Sequence, residues 1–144
     1  MKRKIQGFTP LDIHLVFTVG EVKAHLSSPF HYIDKDGTRH TAAPKMITDG
    51  ISYPTIKGHK IAPPFASPWL ASALIHDAGC LQCRDVRRDV GRKQALQLRK
   101  SYDELFHEML LFQGCGKWKA WIMYKAVRTG AVALWATPKP ENQR

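Results

Sequence analysis

Ser67-Pro68-Trp69-Leu70-Ala71-Ser72-Ala73-Leu74-Ile75-His76-Asp77 is the stretch on which the reading of this chain turns. Ser67 is a good N-cap and Pro68 fits the first helical position, where a missing N–H costs nothing. Trp69, Leu70, Ala73 and Leu74 follow at helical spacing and predict an apolar stripe. The helix then reaches two titratable groups, His76 and Asp77. Burying either costs free energy unless it finds a partner. A second helical stretch, Lys100-Ser101-Tyr102-Asp103-Glu104-Leu105-Phe106, offers Asp103 as that partner. A carboxylate holding an imidazole is a recurring unit of general-base chemistry. It is equally a polar network that pins two helices together.

Outward from this helix, the second half of the chain reads as helical. Residues 84–92 are charged and end at Gly91, which predicts a connection. A helix over residues 93–113 carries the stripe Leu98, Tyr102, Leu105, Phe106, Met109 and Phe112, and Gly114 is its natural stop. A last helix over residues 117–130 has Trp118, Trp121, Ile122 and Val127 as its expected apolar, core-facing side. Residues 131–135 suggest a short closing strand and residues 137–144 a frayed polar tail.

The first half reads as β and loop. Residues 11–19, 22–33 and 40–47 are rich in Ile, Val, Leu and aromatic residues. Asp34-Lys35-Asp36-Gly37 between the last two is a turn signal, so a hairpin or small sheet is expected. Residues 48–54 predict a loop, and Gly58, Pro63, Pro64 and Pro68 predict irregular chain over residues 57–68. The fold class is therefore α+β: a small N-terminal antiparallel β layer or hairpin followed by about three packed helices. A single domain over residues 1–136 is expected.

Composition bounds the function. The 144 residues are 44% hydrophobic, which excludes a disordered chain. No apolar run approaches the ~20 residues needed to cross a bilayer. Met1 to Pro10 is basic but lacks the apolar stretch of a secretory signal, so a cytoplasmic location is expected. The net charge is +10, with Arg84, Arg87, Arg88, Arg92, Lys93, Arg99 and Lys100 crowded together and offset only by Asp85 and Asp89. Such a stretch attracts nucleic acid, anionic lipid or an acidic protein, or serves simply as a solvated face.

Other constellations compete with the His-Asp pair. Three cysteines cannot all pair within one chain, which favours free thiols or metal ligands. His76, Cys80 and Cys83 fall at i, i+4 and i+7, and Cys115 or His107 would complete a zinc site. A single Cys-x-x-Cys is only half of a zinc ribbon, and buried free cysteines are common. Asp49, before Gly50, is either a loop functional residue or an Asx turn. Trp118, Trp121, Tyr124 and Trp135 interleave with Lys117, Lys119, Lys125 and Arg128, as in base-stacking surfaces, although their helical spacing favours a core face. There is no phosphate-binding glycine loop and no Gly-x-Ser-x-Gly elbow.

Four pieces in order resemble a phage-associated family, domain of unknown function 1353. They are Thr48-Asp49-Gly50-Ile51-Ser52-Tyr53-Pro54, Leu74-Ile75-His76-Asp77, Tyr102-Asp103-Glu104-Leu105-Phe106, and Met123-Tyr124-Lys125-Ala126-Val127-Arg128-Thr129-Gly130. The resemblance covers roughly residues 40–130 and implies a phage or prophage protein, in the host cytoplasm or the virion, with a phage structural protein or a host protein as partner. The His-Asp helix followed by Asp before Phe also resembles the core of secreted phospholipases A2. That resemblance implies a small hydrolase with His76 as base, Asp103 orienting it and Asp77 as calcium ligand, while Asp49 with Gly50, or Gly58, would stand in for the calcium loop and make Asp49 a further candidate ligand. The glycine- and cysteine-rich calcium loop and the disulfides of that family are missing here. The competing expectation is a non-enzymatic virion, assembly or host-directed binding protein. It would use Arg84, Arg87, Arg88, Arg92 and Lys93 as its nucleic-acid or partner surface, with the His-Asp network structural.

Overall fold

The computed structural model describes residues 5–21, 23–48, 50, 55–56, 59–60 and 67–136, with 55–56, 59–60 and 131–136 described as backbone only. The chain divides into two compact units, Met1–Ala78 and Gly79–Arg144.

Strands make up most of the first unit. β1 (Gly7–Thr9), β4 (Phe30–Ile33) and β5 (Arg39–Ala42) form one antiparallel sheet in the order β1-β4-β5. β2 (Leu15–Phe17), β3 (Ala24–Leu26) and β6 (Ile47–Thr48) form a second, in the order β2-β3-β6. β7 (Thr55–Ile56) and β8 (His59–Lys60) pair by themselves. The period-two pattern is plain in β3 and β4: Ala24, Leu26, Phe30 and Tyr32 are buried while His25 and His31 are not. Phe8 on β1 completes this face, its ring centroid 5.7 Å from Phe30 and 4.8 Å from Tyr32.

The expected Asp34–Gly37 turn joins β4 to β5. Asp34 Oδ1 accepts from the backbone N–H of Asp36 and of Thr38, each at 2.9 Å, and Oδ2 pairs with His40 Nε2 at 2.8 Å. Gly37, at φ 84, supplies the left-handed residue that closes the turn. Burial opposes the charge of Asp34, but His40 and the two backbone donors outweigh it and hold the pKa below its ordinary value. Residues 22–33 are not one strand. The chain breaks at Ser27-Ser28-Pro29, where proline has no N–H to give a ladder.

The cap of α1 (Leu70–Asp89) forms as expected: Ser67 Oγ accepts from the Trp69 N–H at 3.0 Å. The helix runs on through Asp89, so residues 84–89 are helical and not a connection. Charge alone does not break a helix. Arg87 and Arg88 in the last turn favour its negative end, and Arg88 reaches Asp85 at i−3 (3.4 Å). The break comes at Gly91, at φ 144.

α2 (Arg92–Phe112) matches the expected helix and is closed at Gln113, whose N–H donates to Met109 O. Its buried residues are Ala95, Asp103, Leu105, Phe106, Met109 and Leu110, whereas Phe112 turns outward. α3 (Lys117–Ala136) passes through Gly130 without stopping. The closing strand expected at 131–135 is therefore helix: an interior glycine costs only ~1 kcal/mol, and the alanines after it are strong helix formers. The face assigned to the core is also corrected. Trp118, Trp121 and Ile122 are 73%, 46% and 43% exposed, while Ala120 is fully buried. The expected tail at 137–144 lies outside the described residues.

Close approach of α1 and α2 depends on one glycine. Cys83 and Ala95 form a small core with Val86, Leu96, Leu98 and Tyr102 around it. Tyr102 lies directly over Gly79 and donates its hydroxyl to Gln82 Oε1. A Cβ at Gly79 would come closer than 3.0 Å to three atoms of the Tyr102 ring, including the ring's inner carbon. Alanine is the better helix former by ~1 kcal/mol, but overpacking of this kind costs ~1–3 kcal/mol. Gly79→Ala is therefore expected to lower the midpoint of denaturant unfolding. A raised midpoint would show that the ring moves aside freely.

Candidate functional site

In the first unit, the last residue of β6 meets α1 about two turns into the helix. The Thr48 hydroxyl donates to Asp77 Oδ2 at 3.0 Å and accepts from the Gly50 N–H at 3.0 Å. One hydroxyl thus ties the start of the Thr48-to-Pro54 segment to the His-Asp pair. Gly50, at φ 81, has the left-handed backbone that glycine adopts without strain. Thr48, Ser72 and His76 are all buried, at 3%, 0% and 7% exposure. Asp49, and with it the expected calcium partner of Asp77, lies outside the described residues.

The second unit holds a different polar centre. Asp103 is fully buried on the inner face of α2. Arg99 Nε donates to its Oδ1 and Arg128 Nη1 to its Oδ2, each at 2.9 Å. Both arginine side chains are themselves largely buried, at 12% and 22% exposure. Burial opposes the Arg99 charge, but the neighbouring Cys80 and Asp103 outweigh it and push its pKa up. The guanidinium is charged at any working pH.

The sequence singles out Asp103 but offers only His76 as its partner. Arg99 is legible from its i−4 spacing. Arg128 sits in the fourth motif and meets Asp103 across 25 residues of chain, a pairing that no local pattern signals. Thr48 stands in the first motif, where nothing local gives its hydroxyl a role.

Cys83 and Cys115 are buried and Cys80 is half-buried, and all three are thiols rather than disulfides. Burial raises the Cys83 thiol to about 11, against the opposing pull of Arg99. Burial likewise raises Cys115, against Lys119. In the metal-free chain both thiols are thus held in the neutral form by burial. Among the described residues, no group of three or more His, Cys, Asp or Glu side chains is placed to hold a metal ion.

The cationic stretch is divided among three uses. Arg84, Arg92 and Lys93 are exposed, and Arg87 is half-buried. Arg88 is engaged by Asp89 through Nε at 2.8 Å and Nη2 at 3.1 Å. Arg99 points inward to Asp103. Among the described residues, no helix is long and apolar enough to cross a membrane.

The family model described as "Protein of unknown function (DUF1353)" matches residues 24–127. This chain belongs to that family. The match covers the Thr48, His76-Asp77 and Asp103 motifs and ends one residue before Arg128. No curated protein and no solved structure matches the chain, and nothing in the comparisons supports the phospholipase resemblance. The four stretches singled out in the sequence meet in pairs: the first with the second through Thr48–Asp77, and the third with the fourth through Asp103–Arg128.

Removing one side of a buried ion pair leaves an uncompensated charge and costs ~3–5 kcal/mol. Asp103→Asn, which keeps the shape and removes the charge, is therefore expected to destabilise the protein by about that amount in urea unfolding. A loss under ~1 kcal/mol would mean that solvent reaches the two arginines.

Proposed function

We propose that this DUF1353 protein is a non-enzymatic phage or prophage binding protein. Its exposed cationic surface engages an acidic partner, with nucleic acid as the first candidate. It would act in the host cytoplasm or as part of the virion, on phage or host components. The observation that carries this reading is the use made of Asp103. Both of its carboxylate oxygens hold buried arginines, which is a structural use of the third motif. The cations left outward at the α1–α2 turn, Arg84, Arg92 and Lys93, supply the surface.

Phosphate contacts release counterions, so log K falls linearly with log salt, with a slope of about −0.9 per phosphate neutralised on duplex DNA. The expected outcome is salt-steep binding to duplex DNA in fluorescence anisotropy. The triple variant R84E/R92E/K93E should flatten the slope by about 0.9 for each phosphate it can no longer neutralise. Binding that ignores both salt and the triple variant would remove the cationic surface from the function.

A second reading rests on the Thr48–Asp77 link, which ties Thr48 and Gly50 to the residue that follows His76 on α1. In that reading the protein is a small hydrolase. His76 takes a proton from water as it attacks an ester carbonyl or a phosphodiester, and Asp77 is held in place by Thr48. His76→Ala should then abolish turnover of a chromogenic ester or bis-phosphodiester while leaving the circular dichroism spectrum unchanged. Equal turnover by parent and variant would end the hydrolytic reading.

A further inference from the structure

We propose that the corner where α2 ends and α3 begins is a docking surface for an anionic lipid bilayer. Five large apolar side chains are presented there. Leu111 and Phe112, at the end of α2, are 41% and 45% exposed. Trp118, Trp121 and Ile122, in the first turns of α3, are 73%, 46% and 43% exposed. Only Gln113, Gly114, Cys115 and Gly116 separate α2 from α3. On α3, positions 118, 121, 122 and 125 share one helix face. Trp118 and Trp121 stack there, with centroids 5.8 Å apart and planes 18° apart, and Lys125 Nζ lies 5.4 Å from the Trp121 ring centre. Singly exposed apolar residues are ordinary, but stacked tryptophans sharing a helix face with exposed Ile122, with exposed Leu111 and Phe112 just across a four-residue connection, mark a contact surface.

Charge chooses the occupant. Lys117, Lys119 and Lys125 flank the tryptophans and are exposed, and α3 carries no Asp or Glu; the acidic residue nearest the tryptophans along the chain is the half-buried Glu108, one turn before Phe112 on α2. A second copy of the chain would bring lysines against lysines, which disfavours self-association. Single-stranded nucleic acid would use the Trp118 ring and the cations, but it has no use for the aliphatic surface of Leu111 and Ile122. A bilayer interface uses all of it. Tryptophan rings settle at headgroup depth, aliphatic side chains reach the acyl boundary, and lysines pair with anionic headgroups. The patch sits at the C-terminal end of α2, about 30 Å along that helix from Arg92 and Lys93, given the rise of ~1.5 Å per residue. It is thus a surface separate from the one assigned to nucleic acid above, and the two fail independently.

The test is co-sedimentation of the full chain with vesicles of phosphatidylcholine alone and of phosphatidylcholine with phosphatidylglycerol, followed also by tryptophan emission. Binding and a blue shift are expected only with the anionic vesicles. W118S/W121S should weaken that binding about tenfold or more, because each ring loses its burial. Both rings are exposed, so circular dichroism should show the variant folded. R84E/R92E/K93E should keep most of the vesicle affinity. The proposal is overturned if W118S/W121S binds as the parent does, or if the triple variant alone loses binding, which would mean general charge attraction. It is also overturned if the tryptophans affect only oligonucleotide binding, or only a concentration-dependent self-association seen by light scattering.

Discussion

A carboxylate with no access to water must be neutralised by a proton or by nearby positive charge. Asp103 meets two guanidiniums, one on each oxygen. Arg99 comes from one turn earlier on the same helix and Arg128 from α3, so the arrangement fixes the facing surfaces of α2 and α3 as well as the charge. Breaking even is the usual energetic outcome for such a buried network, while loss of one member is expensive. The helix pair therefore depends on all three residues together. The apolar contacts of Phe106, Met109, Leu110 and Ala120 supply the burial energy around them.

The first unit solves a smaller version of the same problem. Its buried Thr48 hydroxyl accepts from the Gly50 N–H and donates to Asp77. Two of the four stretches singled out in the sequence are joined there, and the other two are joined at Asp103. Sequence pieces that look unrelated along the chain are thus paired by hydrogen bonds. This gives a physical reason for their residue types without requiring that any of them do chemistry.

The +10 charge is not one undivided surface. Arg99 and Arg128 are turned inside, and Arg88 is paired locally. Arg84, Arg92 and Lys93 face outward at one end of α2, and Lys117, Lys119 and Lys125 face outward near the other end beside exposed tryptophans. Counting cations along the sequence overstates the first group and misses how the second is combined with apolar area.

What the sequence determined by itself is the part governed by neighbours. The Ser67-Pro68 cap, the Asp34–Gly37 turn, the stop near Gly114 and the α+β order all follow from local backbone preferences, and the sequence over residues 24–127 carries the family. The tertiary structure decided what local rules leave open. Periodicity groups Trp118, Trp121 and Ile122 on one side of a helix, but it cannot say which side faces the core. Small Ala120 allows the close approach, and the tryptophans turn out. Charge density over residues 84–92 cannot distinguish a solvated helix from a connection, because exposed ion pairs suit both. Above all, the partners of Asp103 depend on which helices pack together, and Arg128 reaches it from 25 residues away.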